Sequence, residues 1–385
     1  MTPDAVAAAA TVGLWASLLT IAYVYAGYPL TLWLLGRRSD GFRTLGELPR
    51  VTVVIAAYNE AAHIGQTVRD KLAQDYPHDR LDIIVVSDGS TDGTDAIVAA
   101  IGDPRVTLLR QEPRQGKTIA LNRAVEVATG DVIIFSDANS RYEPFTIRRL
   151  ARAFDDPSVG YVTGRLIYED PGVSGTGRGP GLYIRYENWI RTLETRVGSV
   201  VGVNGGVDAV RRRLYTPMRA DHLPDFVLPL RVVAQGQRVV YRDDAVAREA
   251  ALGDQEDEFR MRVRVTLRAL HALVAMRGLL HPRFGIFAFQ LFVHKVLRYL
   301  LILPLAVAVV CSAILAGQPV YAAMLIAQLT AYGLAAVGWL SGGRIRVPLV
   351  FVPFYFVLVN TAAAAAILSF LRGRRQVTWT PRKGA

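Results

Sequence analysis

The chain has 385 residues, 51% of them hydrophobic and 20% charged, with a mean hydropathy of +0.25 and a formal net charge of +11. That much apolar residue excludes an ordinary, wholly soluble enzyme, and that much charge excludes a protein embedded in a bilayer throughout. A lone cysteine, Cys311, set inside an apolar run, excludes disulfides.

Chain order begins with a stretch from Ala5 to Gly36 that carries no charge and closes on Arg37-Arg38. A crossing takes about 20 apolar residues, so the run predicts one span. It reads as a span rather than a cleaved leader, because it has no basic start and exceeds the usual ~7–15 apolar residues.

From Val51 to Ala250, short β-branched runs alternate with helical stretches. This pattern predicts an α/β fold with a Rossmann-like, mostly parallel sheet. Strands are expected at Val51–Ala57, Leu81–Ser87, Val106–Leu109 and Val132–Ser136, with helices at Ile64–Leu72, Asp92–Ala100 and Lys117–Ala128. Three of the strands end on polar residues: Tyr58-Asn59-Glu60, Asp88-Gly89-Ser90 and Asp137-Ala138-Asn139. Ligands of open α/β sheets bind beyond such ends. Any one of these stretches also suits a turn with a helix cap. Three in one sheet argue for a site.

Glu169 to Pro180 is rich in Gly and Pro, either a surface linker or a loop that shapes the site. Leu182 to Val197 places Tyr186, Trp189 or Ile190, Leu193 and Val197 at helical spacing, for a helix at the membrane surface or one packed on its own domain. Arg260, Arg264 and Arg268 recur every four residues, a basic face suited to lipid headgroups. His294 and Lys295, just before an apolar run, read as interface anchors rather than ligands.

No charge lies between Arg298 and Arg344, enough for two spans turning near Gly317-Gln318-Pro319. Val347 to Leu371 adds another and leads into Arg372, Arg374 and Arg375. The positive-inside rule puts Arg37-Arg38, Arg344/Arg346 and the tail in the cytoplasm, but four crossings send the tail outside. The conflict is lifted if one segment is re-entrant or lies in the interface, or if the tail breaks the rule. The expected organisation is a 1–38 membrane anchor, a 39–250 α/β domain, 251–298 amphipathic helices, a 299–371 membrane region of about three spans, and a 372–385 basic tail. Membrane lipids are the expected partner of the positive charge. Nucleic acid is not, because the basic residues are spread along the chain and flank the spans.

The stretches VTVVIAAYNE, VVSDGSTDGT, RQGKTIALN and FSDANS, in that order, resemble the nucleotide-sugar half of GT-A, family-two inverting glycosyltransferases. The likeness continues through VGVNGGVDAVRR and LPDFVLPLRVVAQGQRVVY into the C-terminal spans, the layout of membrane polysaccharide synthases of the cellulose, chitin and hyaluronan type. By that resemblance Ala57, Tyr58 and Glu60 line the nucleoside pocket, Asp88 reads the uracil or ribose, and Lys117 sits near the donor phosphates. Asp137 and Asn139 occupy the family's DxD position, which holds Mg²⁺ or Mn²⁺ on the diphosphate. With Asn in the second place, the ion rests on Asp137.

Asp225 matches the family's catalytic base, with Pro224 where a first acid is expected. Losing that like charge leaves burial to raise the base's pKa. Asn204 and Gly205 match a turn beneath the acceptor, and Trp189 is either a sugar platform or a plain apolar position. Arg264 best matches the Arg of the Gln-x-x-Arg-Trp motif of processive members, with Met261 and Val265 replacing Gln and Trp.

The resemblance implies an inverting hexosyltransferase using a UDP-sugar at the cytoplasmic face of the cell membrane to build a β-linked exopolysaccharide. A single transfer to a lipid acceptor is the alternative that Val265 keeps open. Oligomeric state is not legible.

Overall fold

The computed structural model describes residues 2–36, 46–169, 180–250, 255–343, 345 and 347–375. The glycine-rich stretch at 170–179 and the arginines at 37, 38, 344 and 346 lie outside these.

The middle of the chain is one eight-stranded sheet: β1 (Val51–Ala57), β2 (Leu81–Ser87), β3 (Val106–Arg110), β4 (Val132–Asp137), β5 (Arg141–Tyr142), β6 (Val159–Glu169), β7 (Val207–Arg211) and β8 (Arg238–Ala250), in the order β3-β2-β1-β4-β7-β6-β8-β5. Strands β3, β2, β1 and β4 are mutually parallel, β7 is antiparallel to β4, and β6 pairs in parallel with β8. Strands β1, β2 and β4 are apolar on both faces because both are covered, while β3 is a half-exposed edge. Val54, Ile84, Ile133 and Phe135 point into one core, and Val53, Ile55, Ile83, Val85 and Ile134 into the other, with the two-residue alternation of a pleated strand.

Register places the site. Ala57 pairs with Ser87 and Ala56 with Asp137, so Tyr58, Asp88 and Asp137 leave the sheet along one edge. Ser136 pairs with Val207, which brings Gly205-Gly206 to the end of β4 from the opposite chain direction.

Among the described residues three helical stretches are long and apolar enough to cross a membrane: Pro3–Leu35, Pro319–Leu340 and Pro348–Leu371. The segment expected as a simple span after Arg298 differs. Ile286–Leu297 and Ile302–Ile314 bend by 59° between them, and the apolar helical region begins well before residue 299. His294 and Lys295 are therefore not flanking anchors. His294 is buried, with Nδ1 2.7 Å from Glu194 Oε1, and that oxygen also accepts from Tyr28 Oη of the N-terminal helix at 2.5 Å. Helix Pro180–Val197 supplies Glu194 and Glu187, and Glu187 pairs with Arg298 at 2.7 Å. Its buried Ile190 and Leu193 pack on Val24, Tyr28 and Leu32, while its Thr195 hydroxyl accepts from Tyr241 N of β8. The helix thus bridges the N-terminal helix and the sheet.

Candidate active site

The loop after β2 is a scaffold built from short polar side chains. Ser90 Oγ accepts from Asn59 N at 3.1 Å, Thr94 Oγ1 from Glu60 N at 2.9 Å, and Asp92 Oδ2 from Ala61 N at 2.9 Å. Asn59 itself adopts φ 55°, and its Oδ1 accepts from Thr91 N. The Ser-Asp-Gly-Ser run therefore fixes the backbone of the β1 end, which carries Tyr58 and Glu60.

Asp88 is buried and fully engaged. Oδ1 accepts from Gln111 Nε2 at 2.6 Å and Gln115 N at 2.8 Å, and Oδ2 from Gly116 N at 2.8 Å. These bonds fold the segment from Gln111 to Gly116 and so set the start of helix Lys117–Val127. Arg114, on that segment, lies 3.5 Å from the Tyr58 ring centre, a cation stacked on an aromatic face. Ala57 is buried and its carbonyl accepts from Asp88 N, so it contributes backbone and no open side chain.

Lys117 Nζ lies 2.5 Å from Asp137 Oδ1, both side chains partly open to solvent. Burial opposes the lysine's charge, but Asp137, Asp225 and Glu249 outweigh it and hold the ammonium well above its ordinary pKa. The other Asp137 oxygen faces Gly206, where an added Cβ would stand 3.5 Å from Oδ2, 2.7 Å from Glu249 Oε1 and 3.0 Å from Ser140 Oγ. Asn139 is partly exposed one turn position further on.

Asp225 is in the first turn of helix Pro224–Ala234, after a proline suited to that position by its fixed φ and missing N–H. A Cβ on Gly205 would lie 2.5 Å from Asp225 Oδ2, so the glycine, at φ +84°, is the surface against which this carboxylate rests. Adjacent glycines thus touch Asp225 on one residue and Asp137 on the next. Burial raises the Asp225 pKa, the Lys117 charge lowers it, and Asp137 raises it. The like charge missing at Pro224 is supplied from elsewhere in the chain.

Part of the site escaped the sequence. Asp208, on β7, is buried and its Oδ2 accepts from Gly205 N at 2.8 Å and Tyr161 Oη at 3.0 Å. Burial, then the Asp225 charge, pushes its pKa up to about 7. Its signal was an acid at an inward position of an otherwise apolar strand, Val207 to Val210. Arg268 reaches the Asp225 region: its guanidinium donates to His222 O and lies 3.3 Å from Thr118 Oγ1. Arg264 is one turn earlier on the same helix, Gln255–Ala275, partly buried.

Asn204 pins the turn to β6, donating from Nδ2 to Gly164 O at 2.6 Å and from its backbone to Thr163 Oγ1. Trp189 is not drawn to the carboxylates. It is half exposed and its ring neighbours Tyr186, whose hydroxyl donates to Tyr25 O of the N-terminal helix. The helix that carries it turns that face toward the apolar segments.

Residues 52–216 match the family model described as glycosyl transferase family 2. The match takes in β1 to β7 and stops short of Asp225 and the apolar helices that follow it. Over 169 residues it is 28% identical to a beta-monoglucosyldiacylglycerol synthase of Synechocystis, a match covering 43% of this chain and 35% of that protein. Over 111 residues it is 36% identical to a succinoglycan biosynthesis protein of Rhizobium meliloti, covering 29% and 31%. The chain thus spans about a third of the length of these curated relatives. The mannosyltransferase PcManGT of Pyrobaculum calidifontis, solved with GDP-Man and Mn²⁺, has the same fold, with a TM-score of 0.72 at 22% identity, covering 97% of this chain and all of that one.

Among the described residues no three His, Cys, Asp or Glu side chains gather to cage a metal. The end of β4 offers a carboxylate, Asp137, and a neighbouring amide, Asn139. Hard-cation sites completed by substrate phosphates need one or two carboxylates, so the residues present fit such an ion.

Proposed function

We propose that this chain transfers a sugar from a nucleotide sugar to an acceptor hydroxyl, with inversion, on the cytoplasmic face of a cell membrane. The observation that carries this reading is the meeting of Asp225 and Asp137, remote in sequence, at Gly205-Gly206.

The donor diphosphate belongs beside Asp137 and Lys117, with the nucleoside toward Tyr58 and the Asp88-ordered segment from Gln111 to Gly116. Lys117 then exchanges part of its pairing with Asp137 for the departing phosphate, stabilising charge as it builds. A divalent Mg²⁺ or Mn²⁺ held by Asp137 and Asn139 supplies further charge neutralisation there. Asp225 takes the acceptor proton as the hydroxyl attacks, a contribution of about 10²–10⁴-fold for a positioned carboxylate. Attack opposite the leaving group turns an α-linked donor into a β-linkage.

A UDP-sugar is the expected donor and a β-linked exopolysaccharide the first product class. A single transfer to a lipid acceptor is favoured by one observation: Val265 stands where the aromatic expected to stack on acceptor sugar would be. Incubating the purified chain with UDP- and GDP-sugars and a membrane extract tests both levels. Nucleoside diphosphate release in none of the mixtures contradicts the enzyme. A ladder of oligomers supports the polysaccharide, and a single glycolipid spot the lipid acceptor.

A further inference from the structure

Pro348–Leu371 has the length and apolarity of a span: 24 residues, or about 36 Å of helix at 1.5 Å per residue, against a hydrocarbon core of about 30 Å. A helix that crossed would hold its two ends on opposite faces. This one does not.

Its beginning is fastened to the start of helix Gln255–Ala275. Tyr355 Oη donates to Glu258 Oε1 at 3.1 Å, Arg262 donates to Tyr355, and Phe259 packs on Phe351, Phe354 and Leu358. Its end is fastened to the other end of the same helix. The Phe370 and His271 rings are 4.8 Å apart, and His271 Nε2 is 2.9 Å from Arg374 O. Arg375 then reaches the glycosyltransferase domain itself, 3.4 Å from Asp221, four residues before Asp225.

Helix Gln255–Ala275 is tied to the catalytic side by its second half. It starts five residues after β8, its Arg268 donates to His222 O, and its Ala269, Ala272 and Leu273 share the core of the sheet. The neighbouring Pro319–Leu340 is buried only at Ala335 and Gly338, near its C-terminal end, where Phe354 meets Gly338. Pro348–Leu371 packs on this helix around the Phe354–Gly338 contact as well as on helix Gln255–Ala275.

We infer that Pro348–Leu371 lies along the inner membrane surface, parallel to helix Gln255–Ala275, and seats the catalytic domain on the lipid. This rests on the membrane reading above and deepens it. Leu349, Val352, Leu368 and Leu371, each more than half exposed, face the acyl layer, and Arg260, Arg372, Arg374 and Arg375 meet anionic headgroups.

The crossings are then three: Pro3–Leu35, the bent pair as one broken span, and Pro319–Leu340. The bent pair follows the first helix in reverse order, Val293 and Leu301 against Val24, Tyr28 and Leu32, then Ala308, Cys311 and Leu315 against Ala10 and Leu14. Three crossings put every arginine cluster flanking an apolar run on the cytoplasmic side, as the positive-inside rule asks.

The test uses the full chain in bacterial inner membrane, with Cys311→Ser as background and single cysteines at Gln318→Cys and Arg372→Cys. A membrane-impermeant maleimide added to the outer face should label the first and leave the second unlabelled until the membrane is opened. A C-terminal green fluorescent protein fusion, which leaves the helix sequence intact, should fluoresce. Labelling of Arg372→Cys from outside, or a dark fusion whose alkaline phosphatase counterpart is active, overturns the inference. A chain that leaves the membrane in alkaline carbonate overturns the membrane reading instead, and this inference with it.

Discussion

Asp225 and Asp208 both meet Gly205, one through contact with its Cα and the other through its N–H. Burial, then the Asp225 charge, pushes the Asp208 pKa up to about 7. An aspartate raised from about 3.9 in the unfolded chain binds more protons folded than unfolded, so stability falls as pH rises between those values and levels off above the higher one. Asp208→Asn keeps an oxygen for Gly205 N and Tyr161 Oη but removes the titration. Its stabilisation over wild type should grow from pH 4 to pH 7, to at most about 4 kcal/mol for the three-unit shift to about 7, read from unfolding midpoints across pH. A midpoint difference flat in pH contradicts the assignment. Arg268 gives a second test: Arg268→Ala should lower turnover at least tenfold, since it frees the segment before Asp225.

At the level of elements, the β4–β7 register and the Gly205-Gly206 turn assemble the site from opposite strand directions. Gly205→Ala would push a Cβ into the Asp225 carboxylate and strain a left-handed residue, whereas Gly93→Ala, at φ +92° with nothing within 4 Å, adds strain alone. Both should lose about 1 kcal/mol or more of stability from backbone strain. Only Gly205→Ala should also cut turnover by more than tenfold at saturating donor, measured as nucleoside diphosphate release.

Strands β1, β2 and β4 were legible because each is short, buried on both faces and closed by a polar turn. Asp88, Asp137 and Lys117 were legible because they stand at those turns. Asp208 was not, because an acid inside a strand is explained only by the chain that packs across it. Arg268 shares a helical face with Arg264 in sequence, and its bond to His222 O is set by the path of a segment far away along the chain. The strand order β4-β7-β6-β8 joins segments with no local signal for one another.

For the molecule as a whole, the junction between apolar helices and sheet is ionic and buried. Glu194 accepts from Tyr28, His294 and Val201 N, and Val201 is four residues from Gly205. Removing one partner of such a network leaves the others buried without a counterpart, and typically costs about 3–5 kcal/mol. Glu194→Ala should destabilise the detergent-solubilised chain by that order, with the loss visible in thermal unfolding. An unchanged midpoint means the junction is not where the membrane helices grip the domain. Within the assembled molecule the decisive question is whether Asp225 acts on chemistry or only on shape. The most direct measurement is turnover and donor affinity of Asp225→Asn side by side. The account predicts a fall in turnover of at least about 100-fold with nucleotide-sugar affinity within a few-fold of wild type. Undiminished turnover contradicts it.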